Sequence, residues 1–276
     1  MLNYLKGIRQ AWIDYPEPEG RLLAGTYEIV RSLGSGSYGL AYRCRDIRTG
    51  EHVVVKQSKP SKGPLAERLL EREAELLSGL KHPGIPGFRG SFRHRNRLCI
   101  AIDLIEGHTI EDLLFEQERP FSELESLRWI AKLMEIVSYV HARGIVHLDV
   151  RIPNVILREE RLYLIDFGLA KRIGEEAAEP YTDEEHRKRR TPEVQSDLYA
   201  LGHLLLFLLY SSYQERPGQP PADWQEELAV SGDVKHMIRR LLQVEPPYAD
   251  TETFRLEMDN TLQRLQNAAD ANQELE

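Results

Sequence analysis

Cysteine and long apolar runs are scarce in this sequence, and each shortage excludes a class of protein. Only two of the 276 residues are cysteines, Cys44 and Cys99, and neither CxxC nor HExxH occurs, which excludes a disulfide framework or a zinc-finger-like site. The most apolar run, residues 201–209, is far shorter than the roughly 20 residues that cross a bilayer. Residues 1–10 lack the apolar core of a signal peptide. We therefore expect a cytoplasmic protein without a membrane span.

Positive charge is also in deficit, since 36 basic residues face 44 acidic ones and the formal net charge is -8. A negative chain is repelled by nucleic acid, so no nucleic-acid partner is expected. The 41% of hydrophobic residues is enough for a sizeable core, and the length fits one domain or two fused lobes.

The apolar pattern changes character along the chain. Strands are predicted at residues 27–33, 40–45, 52–57, 87–92 and 98–104, with helices over 2–13 and 66–80. Later helices are predicted over 123–143, 196–213, 234–244 and 250–265, and a strand pair at 155–157 and 162–165. Ser122 and Glu125 predict a capping box at the first of these later helices, and Gly144 its end. The fold class is therefore α+β, with a small antiparallel-sheet lobe, a larger helical lobe and a cleft between them.

A glycine-rich stretch, Gly34-x-Gly36-x-x-Gly39, lies between the first two strands. Three glycines allow backbone N–H groups to approach phosphate oxygens closely. A plain glycine-rich hairpin explains the motif equally well when it is taken alone. A dinucleotide site would need a helix after the glycines, and the strand that follows argues against it.

Lys56 ends the third apolar strand, where a buried ammonium group needs a counter-charge. The next helix can supply it from Glu73, with Glu71 and Glu75 as alternatives. Glu73 is favoured because it lies ten residues before Pro83 in a Leu-Lys-His-Pro-Gly stretch. A lysine exposed at a strand end is the competing interpretation.

The segment from His147 to Asn154, with Asp149 and Arg151 between them, is followed twelve residues later by Asp166-Phe-Gly. Phosphoryl transfer needs one carboxylate to receive a hydroxyl proton and oxygen ligands to hold magnesium. Either motif alone would usually be turn chemistry. Their occurrence together, after a glycine loop and a strand-end lysine, points to phosphoryl transfer.

Taken together, these motifs resemble those of the eukaryotic-type serine/threonine protein kinases over about residues 26–265, and suggest a small bacterial cytosolic member. The resemblance implies an N-terminal helical extension (1–25), an N-lobe (26–105) and a C-lobe (106–276). It implies transfer of the γ-phosphoryl group of Mg-ATP to a protein serine or threonine, autophosphorylation included, with Mn²⁺ as an alternative metal. It implies neither the identity of the protein substrate nor an oligomeric state.

The resemblance also assigns roles to single residues. Asp149 would be the catalytic base, Lys56 with Glu73 would hold the α and β phosphates, and Arg151 would contact the γ-phosphate. His147, Phe167, Leu77 and Phe88 would form the family's stacked regulatory spine, anchored by Asp197. The metal ligands would be Asn154 and Asp166. The nucleotide would be bound by the glycine loop, the adenine pocket, the gatekeeper and the hinge, namely Leu33, Gly34, Gly36, Gly39, Ala41, Val54, Lys56, Ile102, Asp103, Ile105 and Ile156.

Two regions depart from the family. Leu148 replaces the arginine that normally pairs with a phosphorylated activation loop, so we expect a non-RD kinase whose activity does not need that phosphate. Alternatively, the basic block at 187–190 replaces the arginine. The charge blocks around it are expected to be a solvated flexible loop, with recruitment of an acidic partner as the minority hypothesis. Thr191-Pro-Glu193 is either a degenerate APE motif or a substrate-loop threonine whose APE helix is deleted.

Two other functions fit the same fold. A small-molecule kinase would usually lack the full glycine loop and the Leu-x-x-Leu-x-His-Pro stretch. A pseudokinase scaffold would usually lack one of the residues Lys56, Asp149, Asn154 and Asp166.

Overall fold

The computed structural model describes residues 14–176, 180–214 and 222–273, so the helix predicted over 2–13 lies outside the described part. The chain divides into two compact units. The first contains the chain up to Glu106 together with Phe167–Leu169, and the second contains Gly107–Asp166 and the chain from Ala170 onward. The first is built on a curled antiparallel sheet and the second is mainly helical, which confirms the predicted α+β class.

Six antiparallel strands form the sheet of the first unit, in the order β1-β2-β3-β4-β6-β5. Each observed strand lies within two residues of its predicted bounds, apart from β1, which was not predicted. The bounds are β1 Leu22–Leu23, β2 Tyr27–Ser35, β3 Gly39–Asp46, β4 His52–Ser58, β5 Phe88–His94 and β6 Arg97–Asp103. Along β4 the side chains of Val53 and Val55 are buried while those of Val54 and Lys56 are only half-buried, as a strand between two different faces requires.

One face of this sheet encloses an apolar core, and the other carries a helix. Tyr42, Val55 and Ala101 lie side by side on the core face, because β3, β4 and β6 pair in that register. Helix α1 (Gly63–Gly79) packs on the sheet through Leu70, Leu76 and Leu77. Its apolar positions repeat every three to four residues, so they form one stripe.

The described part of the predicted helical extension, residues 14–25, contains no helix. It adds β1 to the sheet edge instead, with Leu23 fully buried. The Glu17 amide donates to the Tyr42 hydroxyl at 3.1 Å, and the Asp14 carboxylate accepts from the Ser61 amide at 3.0 Å. Pro16 and Pro18 disfavour a helix here because each lacks an amide hydrogen.

The second unit packs long helices around short strand pairs. Its helices are α2 Ile110–Phe115, α3 Glu123–His141, α4 Glu184–Arg190, α5 Val194–Tyr210, α6 Trp224–Glu227, α7 Gly232–Leu241 and α8 Thr251–Gln273. Its strands are β7 His108–Thr109, β8 Ile145–Val146, β9 Val155–Arg158, β10 Arg161–Leu164 and β11 Lys171–Arg172. α3 packs against α8 and α5, and α5 packs against α7. Across the three described ranges, no helix has both the length and the apolar content needed to span a bilayer.

The predicted capping box at α3 is only half formed. Ser122 Oγ accepts from the Glu125 amide at 3.2 Å, as predicted. The Glu125 carboxylate, however, pairs with Arg119 at 2.5 Å, because a guanidinium is the stronger donor. A complete box occurs instead at α2, between Thr109 and Asp112.

Candidate active site

Lys56 and Glu73 form an ion pair inside the first unit, with Lys56 Nζ 2.5 Å from Glu73 Oε1. Glu73 is only 3% exposed, whereas Glu71 and Glu75 are exposed. The helical period explains the choice, because position 73 shares the sheet-facing stripe of α1 with Leu70 and Leu77. A buried carboxylate is tolerated only when it is paired, so the pair fixes α1 against β4.

Two of the predicted adenine-contacting residues, Ala41 and Val54, share the sheet face of Lys56 with the predicted gatekeeper Ile102. Ala41 lies opposite Lys56 in the β3–β4 register, and Val54 lies opposite Ile102 in the β4–β6 register. Gly34 pairs with Ala41 across β2 and β3. Residues directly opposite each other on neighbouring strands point to the same side of the sheet. The register therefore gathers these five positions on one face.

The glycine loop closes the hairpin between β2 and β3. The Gly36 amide donates to the Gly39 carbonyl at 2.9 Å, which makes the turn tight, and Lys59 Nζ donates to the Gly36 carbonyl at 2.5 Å. A Cβ atom at Gly39 would lie 3.3 Å from the carbonyl of Gln57, so a side chain would crowd this position. Leu33 precedes the loop and is 40% exposed.

The end of β6 is tied to residue 87 by Asp103. Its carboxylate accepts from Arg89 Nε at 2.5 Å and from the Gly87 amide at 3.0 Å, and its own amide donates to the Gly87 carbonyl at 2.9 Å. A Cβ atom at Gly87 would lie 2.6 Å from Asp103 Oδ2, so a side chain there would require the Asp103 carboxylate to move. Ile105 follows, half-buried. Ile156 belongs to the second unit, where it is buried on β9.

Asp149 is held from two sides within its own loop. Asn154 Nδ2 donates to the Asp149 carbonyl at 2.9 Å and to Asp149 Oδ2 at 2.7 Å, and Arg151 Nε lies 3.2 Å from the same Oδ2. Because its amide group donates to Asp149, the Asn154 Oδ1 is the atom that could bind a metal. The Ile165 amide donates to the Asn154 carbonyl at 2.9 Å, which brings Asp166, at φ +65°, to the same end of the loop.

Asp197, fully buried on α5, anchors this loop. It accepts from His141 Nε2 at 2.7 Å, from the His147 amide at 2.8 Å and from the Leu148 amide at 2.7 Å. Burial alone would raise its pKa, but the hydrogen bonds from His141 and from the His147 amide hold that pKa below its usual range. Burial lowers the pKa of His147, and its neutral Nδ1 accepts from the Asp149 amide at 3.2 Å. His147 is therefore a structural residue of the loop.

The segment predicted to be a flexible charged loop contains a helix, α4, which corrects the prediction. The Asp183 carboxylate caps it by accepting from the His186 amide at 2.7 Å. Arg187 pairs with Glu184 at 2.6 Å and Arg189 pairs with Glu185 at 2.9 Å, one helical turn apart. The cap and the Glu–Arg spacing of three and four residues were the signals in the sequence that indicated this helix.

Arg190, the last residue of α4 and of the basic block 187–190 that was the alternative replacement for the missing arginine, reaches the catalytic loop. Its Nη1 donates to the Leu148 carbonyl at 2.5 Å, and its Nη2 lies 3.6 Å from Asp149 Oδ1. The contact joins residues 42 positions apart, so local sequence patterns could not reveal it.

Thr191 and Glu193 lie between α4 and α5. The Thr191 hydroxyl donates to the Arg187 carbonyl at 2.7 Å rather than to Asp149, and the Thr191 carbonyl accepts from Ser196 Oγ at 2.7 Å. Two residues after Glu193, Gln195 Nε2 donates to the Ala249 carbonyl at 2.8 Å. A neutral amide thus links the start of α5 to the chain before α8.

Comparison with known proteins identifies the family of this chain. The protein kinase domain matches residues 27–248. The probable serine/threonine-protein kinase YbdM of Bacillus subtilis is 38% identical over 263 residues, which cover 95% of this chain and 99% of that protein. CBL-interacting protein kinase 16 of Oryza sativa is 29% identical over 254 residues, but the chain covers only 55% of its length.

Solved structures agree on the fold. The kinase domain of Mycobacterium tuberculosis PknI superposes with a TM-score of 0.66 at 24% identity, covering 89% of this chain and 99% of that one. The matched span includes the glycine loop, the Lys56–Glu73 pair and the loop anchored by Asp197. On these grounds the chain belongs to the protein kinase family.

Proposed function

We propose that this chain is a serine/threonine protein kinase that transfers the γ-phosphoryl group of ATP to a serine or threonine hydroxyl of a protein. The Asp149 carboxylate carries the proposal. Its Oδ2 is held by Asn154 and Arg151, and no hydrogen bond from the described residues reaches its Oδ1. One carboxylate oxygen is thus fixed and the other is available to accept a proton. The full-length similarity to the Bacillus subtilis relative supports the same activity.

In the proposed reaction, the substrate hydroxyl oxygen forms a bond to the γ-phosphorus of ATP. The bond from that phosphorus to the bridging oxygen of ADP breaks, and the hydroxyl proton passes to Asp149 Oδ1. Arg151, 60% exposed beside the carboxylate, would contact the γ-phosphate with its guanidinium. Lys56, fixed by Glu73, would hold the α and β phosphates below the glycine loop.

Magnesium fits the oxygen donors at the end of the catalytic loop. Among the described residues no group of three or more His, Cys, Asp or Glu side chains could hold a metal. Magnesium commonly uses one or two protein oxygens together with phosphates and water, so Asn154 Oδ1 and the Asp166 carboxylate suffice as its protein ligands. When bound, the ion neutralises charge that develops on the phosphate oxygens.

Two finer points belong to the proposal. The buried Leu148 in place of an arginine supports a non-RD kinase. The two described cysteines, Cys44 and Cys99, are free and fully buried, which suits a reducing compartment and supports a cytoplasmic location. Neither alternative function is favoured. The protein kinase domain matches most of the chain, and all four residues that a pseudokinase tends to lose are present.

The test is transfer of radiolabelled phosphate from ATP to the chain itself and to generic basic protein substrates. Asp149→Asn keeps the shape of the side chain but removes the base, so we expect at least a hundredfold loss of transfer, the usual scale for a general base. Asp259→Asn, an exposed change on α8, serves as the matched control and should transfer normally. Full activity of Asp149→Asn beside an active wild type would contradict the assignment.

A further inference from the structure

The backbone around the catalytic aspartate adopts an unfavourable conformation that needs support. Leu148 has φ +60°, a left-handed conformation that residues with bulky side chains avoid, and it is only 5% exposed. Its amide is bound by Asp197 Oδ1 at 2.7 Å, which holds the residue from the α5 side. Its carbonyl is bound by Arg190 Nη1 at 2.5 Å, which holds it from the α4 side. Both polar groups of the strained residue are therefore bound to charged partners.

Helix α4, which positions the guanidinium of Arg190, is anchored in its first and last turns. Asp183 caps the first turn of α4, and the Thr191 hydroxyl binds the Arg187 carbonyl in the last turn. The helix packs on α5, where the side chains of Lys188 and Arg189 lie over the ring of Tyr199 at 5.6 and 5.5 Å. A cation at the C-terminal end of a helix is also favoured by the helix dipole.

Arg190 differs from the rest of the basic block. Arg187 and Arg189 each pair with a glutamate of their own helix, and both pairs are solvent-exposed. Arg190 is one-third exposed and turns to the catalytic loop. At 3.6 Å from Asp149 Oδ1, its Nη2 is too far for a hydrogen bond but close enough to act as a charge.

We propose that Arg190 is a positioning residue for the catalytic base. It holds the Leu148 peptide in its left-handed conformation and so fixes the direction of the next side chain, Asp149. It also faces Asp149 Oδ1 with a positive charge, without a hydrogen bond to that oxygen. Arg190 of α4 thus supplies a cation to the catalytic loop without a phosphate group. The role of Asp149 as catalytic base rests on the proposed kinase function, whereas the support that Arg190 gives to the Leu148 peptide does not.

Kinetics test the positioning role with three variants. Arg190→Gln removes the charge and should lower kcat at least tenfold, while KM for ATP changes less than threefold. Arg190→Lys keeps a charged donor for the Leu148 carbonyl and should restore kcat to within about threefold of wild type. Arg187→Gln, which breaks an exposed pair on the same helix, is the matched control and should behave as wild type. An increase in kcat for Arg190→Gln would overturn the proposal, because Arg190 would then be an inhibitory clamp.

Backbone hydrogen exchange tests the support independently of activity. In Arg190→Gln the amides of Leu148 and Asp149 should exchange at least tenfold faster than in wild type, and in Arg187→Gln they should not change. Unchanged exchange in Arg190→Gln would overturn the proposal whatever the enzyme does. Equal acceleration in both variants would also overturn it, since the helix as a whole would then be responsible. Absence of phosphoryl transfer in the wild type, with the exchange result as expected, would instead contradict the proposed function.

Discussion

At the scale of single residues, burial determines how the Lys56–Glu73 pair responds to substitution. Both partners lie largely out of solvent, with side-chain exposures of 18% and 4%. Removing one partner of such a pair is more harmful than replacing a partner by a neutral group that can still hydrogen-bond. The two ends of the pair therefore tolerate different substitutions.

We expect Lys56→Met to lower kcat about a hundredfold or more while the fold is kept, because the group that orients the phosphates is lost. Glu73→Gln should lower kcat less, about tenfold, because its amide oxygen can still accept a hydrogen bond from lysine. Steady-state kinetics with circular dichroism as a fold check would measure both. Glu71→Gln, on the exposed side of the same helix, is the control. If it were as harmful as Glu73→Gln, the wrong glutamate would have been assigned.

At the scale of secondary-structure elements, α5 and α7 approach each other closely at Gly202. A Cβ atom there would lie 2.8 Å from Leu241 Cβ and 3.1 Å from Leu242 Cδ2. The first of these atoms is next to the backbone and cannot swing away. Glycine inside a helix normally weakens it by about 1 kcal/mol relative to alanine, so its presence here reflects the crossing of the two helices.

Gly202→Ala should therefore lower the free energy of unfolding by about 1–2 kcal/mol, because overpacking outweighs the gain in helix propensity. Urea unfolding would measure the difference. Gly232→Ala, at the first residue of α7, meets no atom within 4 Å and should be neutral or slightly stabilising. A stabilised Gly202→Ala would mean that the two helices separate readily at this crossing.

The second prediction at this scale concerns the activation loop, the stretch after Asp166 that contains Tyr181, Thr182 and α4. Because Arg190 reaches the catalytic loop without a phosphate, phosphatase treatment should change the rate less than about threefold. Tyr181→Phe keeps the ring contact with His186, and Thr182→Ala keeps the Asp183 cap of α4, so both should also stay within a few-fold of wild type. A tenfold fall after phosphatase treatment, about 1.4 kcal/mol in the barrier, would indicate a loop phosphate bound by the basic block.

The strands of the first sheet were predicted closely because their buried positions carry apolar residues, as Val53 and Val55 do in β4. The Lys56–Glu73 pairing followed from the position of Glu73 ten residues before Pro83 and from the family motif. Helix α4 was missed because its run of charges was taken for solvent exposure, although its cap and its Glu–Arg spacing are helical signals. The basic block was named as an alternative to the missing arginine, but the contact of Arg190 in particular could not be predicted, since it depends on where tertiary packing places the end of α4. The neutral Gln195 link was unpredictable for the same reason.

At the scale of the whole molecule, a ligand that binds only the folded state stabilises it by mass action. At a hundred times its dissociation constant the gain is about 2.7 kcal/mol. The oxygen donors of Asn154 and Asp166 make part of that gain depend on magnesium, if they hold the ion as proposed.

We expect a non-hydrolysable ATP analogue with magnesium to raise the melting temperature, and EDTA to remove most of the increase. Asp166→Ala should retain a small increase from the nucleotide but lose its dependence on magnesium. Asp259→Ala on the surface of α8 controls for a general effect of removing a carboxylate. A magnesium-dependent shift that survives Asp166→Ala would place the metal on other residues.

Ionic strength acts on this enzyme through α4. The helix has seven residues, too few to be stable alone, and two of its stabilising contacts are exposed ion pairs. Dissolved salt screens such pairs, with a Debye length of about 8 Å at physiological strength and about 3 Å at 1 M. The buried contacts of Asp197 on the other side of the catalytic loop are screened much less. Rising salt weakens both exposed pairs at once, whereas Arg187→Gln removes only one of them. Salt should therefore loosen the α4 side of the loop first, and the turnover rate should fall before the protein unfolds.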